Sequence, residues 1–253
     1  MSAARPVATS CALWFAVWAC SAHGGSLWVG PTRIELTREH PVAVLEVRND
    51  NPNPTIVQIE RMSWSQAGGT DGYAATSLLI ATPPVFELAA GATQTLRVAL
   101  RDWQQLTAER AFRIYVREVP KVPSGPSSGL QFALRVGVPV FANPPGASST
   151  LQWALKAMSG GQLALSALNT GGRWAHILRL EVHHTGDGQI LWHSNEAGYV
   201  IAGGERFWTG VALAPAQPGQ QFDLLAVTEA GDVRTTVTLT DSDELRATAI
   251  LPP

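Results

Sequence analysis

Cysteine is almost absent from this chain, which has only Cys11 and Cys20 among 253 residues. Because both lie near the start, the rest of the chain can form no disulfide bond. The chain also lacks a marked excess of positive or negative charge: the formal net charge is −2, and no run of five or more Lys and Arg residues occurs. This balance argues against nucleic acid and anionic membrane surfaces as partners. No apolar run reaches the roughly 20 residues that a membrane-spanning helix needs.

The first residues have the pattern of an export signal. Arg5 is the only charge before the apolar stretch from Cys11 to Cys20, and the small residues Ser21 and Ala22 follow it. We therefore expect residues 1–22 to be a secretory signal peptide that is cleaved after Ala22. The alternative is lipidation at Cys20, which the bulky Trp18 close to that cysteine disfavours.

Catalytic motifs are also lacking. Gly125-Pro126-Ser127-Ser128-Gly129 matches the G-x-S-x-G nucleophile pattern. That turn needs a strand before it and a helix after it, whereas here a Pro-containing loop precedes and an alternating strand follows. We interpret it as a plain loop and predict no enzyme activity.

A metal site is equally unsupported by the sequence. His176, His183, His184 and His193 fall close together in the second half of the chain. Adjacent histidines on a strand point to opposite faces, so His183 and His184 cannot converge on one ion. The sequence predicts neither a metal nor a cofactor.

What the sequence does have is many short apolar segments that alternate with polar residues and are separated by Gly, Pro, Asn and Asp clusters. The period of two is typical of strands, and no segment has a convincing helical stripe. The predicted strands are 42–48, 56–63, 94–100, 111–119, 130–141, 151–157, 162–168, 174–184, 189–193, 205–213, 221–228 and 232–240. This spacing predicts an all-β protein made of sandwiches.

A proline-containing segment divides these strands into two groups. Residues 142–149 read Ala-Asn-Pro-Pro-Gly-Ala-Ser-Ser, which is typical of a stiff, exposed linker. The sequence therefore predicts one sandwich over residues 23–143 and a second over residues 144–253, each of ordinary domain size.

The last predicted strand of the first domain has one continuously apolar face. Its members are Leu130, Phe132, Leu134, Val136, Val138 and Val140. Packing on the domain's own core would explain such a face. Pro139 cannot donate to a ladder, however, so it places the strand at or near a sheet edge. A long apolar edge needs a cover, and a partner's chain would supply one.

Several motifs of the first half occur in the same order and spacing as in one known family. They are 32–34 (TRI), 47–50 (VRND), 82–88 (TPPVFEL), Gly91 with 96–98 (LRV), 109–112 (ERAF), 117–120 (REVP) and 130–141. Through them, most of residues 27–145 resembles the PapD-type periplasmic pilus chaperones of the chaperone/usher pathway. The resemblance implies two immunoglobulin-like sandwiches in a boomerang arrangement, a periplasmic location, and pilus or fimbrial subunits and an outer-membrane usher as partners. It also implies a cis bond between Thr82 and Pro83.

In that family the last strand of the first domain is lent to a subunit that lacks one of its own strands. The resemblance therefore implies that Leu130, Phe132, Leu134, Val136 and Val138 fill pockets of a subunit. It further implies that Arg33 holds the subunit's C-terminal carboxylate, which suits the bidentate guanidinium.

The chain departs from the family pattern at two positions. Pro139 stands where the best-known branch has a lysine, and Asn143 stands where it has an arginine. Arg117 or Arg135 could supply the second cation of the carboxylate anchor, or backbone N–H groups could assist Arg33 alone. The proline and the short loop at 120–129 resemble the divergent branch that serves spore-coat-U-type subunits.

The resemblance also implies that Glu109 and Glu229 are acidic members of an interdomain ion-pair network. Two other functions stay open beside the chaperone: a secreted structural or adhesive sandwich module, and a hydrolase or metal-binding sandwich.

Overall fold

The architecture comes from a computed structural model, which describes residues 27–103, 106, 108–120 and 133–241. Within these ranges the chain is all-β, as predicted, apart from one 3₁₀ turn at Ser159–Gly161. None of the described segments is a helix that is long and apolar enough to cross a membrane.

Ten strands precede the proline-containing segment and form two sheets packed on each other. They are β1 (Leu27–Gly30), β2 (Ile34–Leu36), β3 (Val42–Asn49), β4 (Thr55–Ala67), β5 (Thr70–Ala75), β6 (Leu79–Thr82), β7 (Val85–Leu88), β8 (Thr93–Leu100), β9 (Arg110–Val119) and β10 (Arg135–Ala142). One sheet has the order β1-β3-β8-β6, and the other has the order β2-β10-β9-β4-β5 with β7 paired to β4. Alternate side chains of the two inner faces form the core of the first sandwich.

Eight strands follow the segment. They are β11 (Leu151–Met158), β12 (Gln162–Asn169), β13 (Ala175–His184), β14 (Ile190–Ser194), β15 (Gly198–Val200), β16 (Glu205–Val211), β17 (Gln221–Thr228) and β18 (Gly231–Thr240). Their order is β14-β13-β17-β18-β11-β12-β16, with β15 paired to β13. A second, separate core fills this sandwich around Trp192, Trp208 and Phe222.

Each of the twelve predicted strands corresponds to an observed strand, whereas β1, β2, β5, β6, β7 and β15 were not among the predicted ones. The strand expected at 130–141 begins at Arg135 within the described residues, since Ala133 and Leu134 are not in strand conformation and residues 130–132 lie outside the description. The hairpin of β4 and β5 was not predicted. Its turn consists of Gly68 and Gly69, both at positive φ, where glycine is favoured.

Within the described residues, two proline peptide bonds are cis. The Thr82–Pro83 bond is one of them, so the expectation for Pro83 is confirmed, and the Gly30–Pro31 bond is the other.

The two sandwiches meet along a third apolar cluster that belongs to neither core. It consists of Trp64, Ala111 and Phe141 from the first sandwich and Trp174 and Ile201 from the second. Tyr73 and Tyr199 pack against it. The contact surface between the domains is therefore a desolvated aromatic layer.

Candidate functional site

The outer edge of β10 is the first element of the site. β2 runs parallel to β10 but pairs only with Val140, Phe141 and Ala142. On the other side β9 pairs with the whole of β10, from Arg135 to Ala142. Among the described residues, no strand covers the outer edge of β10 between Arg135 and Pro139, so the N–H and C=O groups on that side are open to an added strand.

The apolar face of β10 changes role along its length. Val138 and Val140 are 1% and 0% exposed and belong to the core of the first sandwich. Val136 is half-buried against the same core, and Leu134, which precedes the strand, is also half-buried. The expected subunit-binding role of Val138 is thus corrected by its burial, because a side chain enclosed in its own core is not presented to a partner. Leu130 and Phe132 lie outside the described residues.

Leu134 is fixed beside the end of β9. Its carbonyl oxygen accepts a hydrogen bond of 2.9 Å from the backbone N–H of Glu118. Its own N–H donates to the Glu118 carboxylate at 3.4 Å, and Thr55 donates its hydroxyl to the same carboxylate at 2.8 Å. The chain therefore continues along β9 before β10 begins, which prolongs the open edge beyond Arg135.

Arg33 lies in the cleft between the sandwiches and already holds a carboxylate. Its two terminal nitrogens donate to the two oxygens of Glu229, each at 2.6 Å. Its Nε lies 3.4 Å from Glu35, and its guanidinium lies 4.6 Å from the ring centroid of Trp174. The hydrogen bond with Glu229 raises the pKa of Arg33. Glu229 thus forms an interdomain ion pair, but its partner is Arg33, which the resemblance had assigned to the subunit's carboxylate.

Glu229 is charged across the whole physiological range. The hydrogen bond from Arg33 lowers the pKa of its carboxyl group to about 2, and His176 contributes in the same direction. The ring of His176 lies 3.1 Å from a Glu229 oxygen and stacks on Tyr199 at a centroid distance of 4.1 Å.

Glu109 also joins the domains, but through hydrogen bonds to the main chain. Its carboxylate accepts the backbone N–H of Trp174 at 2.7 Å and that of Ala202 at 3.3 Å. Burial raises the pKa of Glu109 to about 7. No ion pair of Glu109 is present among the described residues, so the acidic network of the family is only partly reproduced here.

Arg117 and Arg135, the expected auxiliary anchors, lie together but away from Arg33. They face each other across β9 and β10, and both form ion pairs with Glu60, at 3.2 and 2.8 Å. Arg33 lies level with Pro139, four residues further along β10, or about 13 Å at the usual strand rise. The structure therefore places these two arginines beside the open edge of β10 and away from Arg33.

Arg113 is a site residue that the sequence did not single out. In the strand register Arg113 pairs with Pro139, while Arg33 precedes Ile34, which pairs with Val140 on the other side of β10. Two interstrand spacings separate the backbones of Arg33 and Arg113 by about 10 Å. The guanidinium of Arg113 lies 4.6 Å from the Trp64 ring centroid, and its buried Nε has no hydrogen-bond partner.

An aromatic row connects the two arginines. Trp64 is 5.9 Å from Phe141, and Phe141 is 5.1 Å from Trp174, measured between ring centroids. Arg113 stacks at one end of this row and Arg33 at the other. No carboxylate forms an ion pair with Arg113 within the described part of the chain, so it is a half-buried cation without an acidic partner there. Phe112, Ile114 and Val116 point into the core, so the alternation of β9 places Arg113 on the outer face. That pattern is visible in the sequence, but the position of Arg113 beside Pro139 depends on the strand register.

The sequence argues against a metal site at the histidines of the second domain and against a nucleophile at Ser127. His183 contacts Glu181 and the carbonyl oxygen of Gly188, while His184 packs on Phe222. Ser127 lies outside the described residues. Among those described, no group of three or more His, Cys, Asp or Glu side chains is arranged to hold a metal ion.

Comparison with known proteins gives one family match. Residues 26–148 match the family model described as "Pili and flagellar-assembly chaperone, PapD N-terminal domain". No curated protein sequence is significantly similar to the chain.

Solved structures share the fold of both domains. A chain of the CsuC–CsuE chaperone–tip adhesion subunit pre-assembly complex, from the archaic Csu pili of Acinetobacter baumannii, is 21% identical, with a TM-score of 0.62 over 85% of this chain and 99% of that one. The class 5 fimbriae chaperone CfaA is 12% identical, with a TM-score of 0.56 over 84% and 99%. A chain of the Salmonella enterica SafA pilin–SafB chaperone complex is 18% identical, with a TM-score of 0.53 over 84% and 95%.

Proposed function

Since the chain belongs, through residues 26–148, to the PapD family of pili and flagellar-assembly chaperones, we propose that it binds pilus subunits by strand addition at the outer edge of β10. The family is not enzymatic, and its members act as chaperones. We propose further that this chaperone works in the periplasm and delivers its subunit to an outer-membrane usher.

The observation that carries the proposal is the open edge of β10. Backbone groups on that side of Arg135–Pro139 have no strand partner among the described residues, while β9 holds the other side rigidly in register. An extended segment of a subunit would gain main-chain hydrogen bonds along this edge. Such bonds do not depend on the subunit's side chains, so one chaperone can serve subunits of different sequence.

Apolar side chains beside the edge would supply further affinity. Leu134 and Val136 are half-buried within the described part, and Leu130 and Phe132 continue the same alternation. Complete burial of each such side chain in a subunit would contribute about 1.5 to 3 kcal/mol. Val138 supports the strand from within the chaperone's own core.

The cleft would hold the end of the subunit chain. Arg33 immediately precedes β2 and Arg113 lies on β9, the two strands that neighbour β10, and each arginine lies against a tryptophan ring. A C-terminal carboxylate placed between them would accept charge-assisted hydrogen bonds in a partly desolvated setting. In this proposal Arg113 supplies the second cation, and Arg117 and Arg135 contact the subunit further along the edge.

Co-purification from the periplasm tests the function. The protein is produced in its own host with an affinity tag, and the small secreted proteins that accompany it are identified. Leu134→Ser should reduce the recovered subunit at least tenfold, because a pocket anchor is lost. The matched control is Leu178→Ser, at a 40% exposed leucine of the second domain, which should leave recovery unchanged.

Recovery of no pilus-type subunit with the wild-type protein would favour a structural or adhesive sandwich module. Equal loss in both leucine variants would show that the effect is one of general stability and would contradict strand addition at this edge.

A further inference from the structure

The contact between Arg33 and Glu229 has the geometry of a bound ligand. Two parallel hydrogen bonds of 2.6 Å join the ends of the guanidinium to both carboxylate oxygens. A peptide's C-terminal carboxylate would be held by the same two nitrogens in the same bidentate way. Glu229 therefore occupies the position that an external carboxylate would need.

Glu229 is placed so that it can leave without disrupting a core. It lies in the turn between β17 and β18, and its side chain is 40% exposed. A cavity of about 380 Å³ adjoins the pair and is lined by Ser148, Ser149 and Thr228 among others. This space would accept the displaced side chain.

Arg33 would keep its position after Glu229 leaves. Tyr199 lies 3.4 Å from one terminal nitrogen, Glu35 lies 3.4 Å from Nε, and Trp174 lies under the guanidinium plane. These contacts preorganise the cation, so an incoming carboxylate would not have to order it.

We propose that Glu229 is an internal substitute for the partner's carboxylate, which closes the cleft in the free protein and is displaced when a subunit binds. This inference rests on the proposed function, because it concerns the same carboxylate site. It adds that the free chaperone is partly self-inhibited and that the domain contact at Arg33 is exchanged for a contact with the partner.

Exchange, and not protonation, would release Arg33. The pKa of Glu229 lies near 2, so its carboxyl group stays charged at any pH at which the chaperone would work. Only another anion can then compete for the guanidinium. Such competition would favour an extended chain that ends in a free carboxylate at the cleft over one that merely passes along the edge.

The test uses two short acetylated peptides of alternating valine and threonine, identical except that one ends in a free carboxylate and the other in an amide. Their dissociation constants are measured by calorimetry with the wild-type mature protein, Glu229→Gln and Arg33→Ala. Glu196→Gln is the matched control, since it also removes a carboxylate from an arginine pair in the second domain, but one on an exposed loop.

Glu229→Gln should bind the free-carboxylate peptide about tenfold more tightly than the wild type, as expected for one lost charged hydrogen-bonded competitor. Its affinity for the amide peptide should not change, and Glu196→Gln should behave as the wild type. Arg33→Ala should reduce the preference for the carboxylate.

Three results would overturn the inference. If Glu229→Gln binds both peptides more tightly by the same factor, the effect is a general loosening of the domains. If Glu229→Gln binds neither peptide more tightly than the wild type does, and the wild type binds both peptides, strand addition is supported but the role of Glu229 as a substitute carboxylate is rejected. If no protein binds either peptide, strand addition at this edge fails and the inference fails with it.

Discussion

At the scale of single residues, Arg113 is the side chain that the proposed carboxylate site adds to the residues expected from the sequence. It lies level with Pro139, stacks on Trp64 and lacks an acidic partner within the described chain. Arg113→Ala should weaken subunit binding by about tenfold to a hundredfold, in line with the loss of a charged hydrogen bond of roughly 1.5 to 3 kcal/mol.

The measurement for Arg113 is the dissociation constant of the purified subunit complex. Arg234→Ala, on β18 of the second domain, is the control and should bind as the wild type. An Arg113→Ala protein with wild-type affinity would show that Arg33 and backbone N–H groups hold the carboxylate without it.

Glu109 gives a prediction about pH. Burial raises the pKa of its carboxyl group to about 7 in the folded protein, while the unfolded value is about 4.5. The folded state therefore binds this proton more strongly than the unfolded state. The resulting contribution to the free energy of unfolding is fully present below about pH 4.5 and is lost as the pH rises through about 7. The expected loss is on the order of 3 kcal/mol.

Denaturant unfolding of the wild type and of Glu109→Gln between pH 5 and pH 8 measures this loss. The wild type should lose free energy of unfolding across that interval, and the variant, which cannot titrate there, should show a flatter profile. Parallel profiles would mean that Glu109 is not protonated near neutral pH.

Residues with a family counterpart could be recognised from the sequence, and the others could not. Arg33 and Glu229 were singled out by resemblance, but the bond between them depends on how the domains are placed. Arg113 was overlooked because its significance comes from two strand registers, with β10 and through it with β2. A residue's own neighbours along the chain do not contain that information.

At the scale of elements, β10 contributes side chains to the core of the first sandwich and has an open outer edge, which in the proposed function pairs with a partner. Val138 is 1% exposed, whereas Leu134 is half-buried and precedes the strand. Val138→Ser should therefore lower the chaperone's own free energy of unfolding by roughly 2 to 3 kcal/mol, through lost apolar burial and an unpaired hydroxyl group. Leu134→Ser should lower it by less than about 1 kcal/mol.

Thermal and denaturant melts of the two purified variants, without a partner, test this division of β10. Similar destabilisation by both substitutions would mean that Leu134 also serves the domain's own core. A Val138→Ser protein as stable as the wild type would mean that the burial of Val138 contributes little to the fold.

Most strands could be predicted because their period of two reflects one buried and one exposed face. The hairpin of β4 and β5 could not, since the glycines at 68, 69 and 72 are typical of a loop. Its support comes from the second domain: a Cβ atom at Gly69 would overlap the ring of Phe207. The Gln66 side chain bonds to the backbone of Tyr199 and Ile201.

At the scale of the whole molecule, the two sandwiches are joined by a composite interface and not by the linker alone. Phe141 is fully buried between Trp64 and Trp174, and the Arg33–Glu229 and Glu109 contacts lie beside this aromatic layer. The sequence predicted two domains and the segment between them. It could not predict this interface, because its members are scattered from Trp64 to Ile201 and show no local pattern.

The central claim is that the outer edge of β10 pairs with a subunit's chain, and amide hydrogen exchange of the purified complex tests it most directly. Exchange is compared between the free chaperone and the complex with its co-purified subunit. The account predicts strong additional protection in residues 133–138, with little change on β14 and β16 at the far edges of the second domain. A stable complex in which residues 133–138 exchange as fast as in the free chaperone would contradict it.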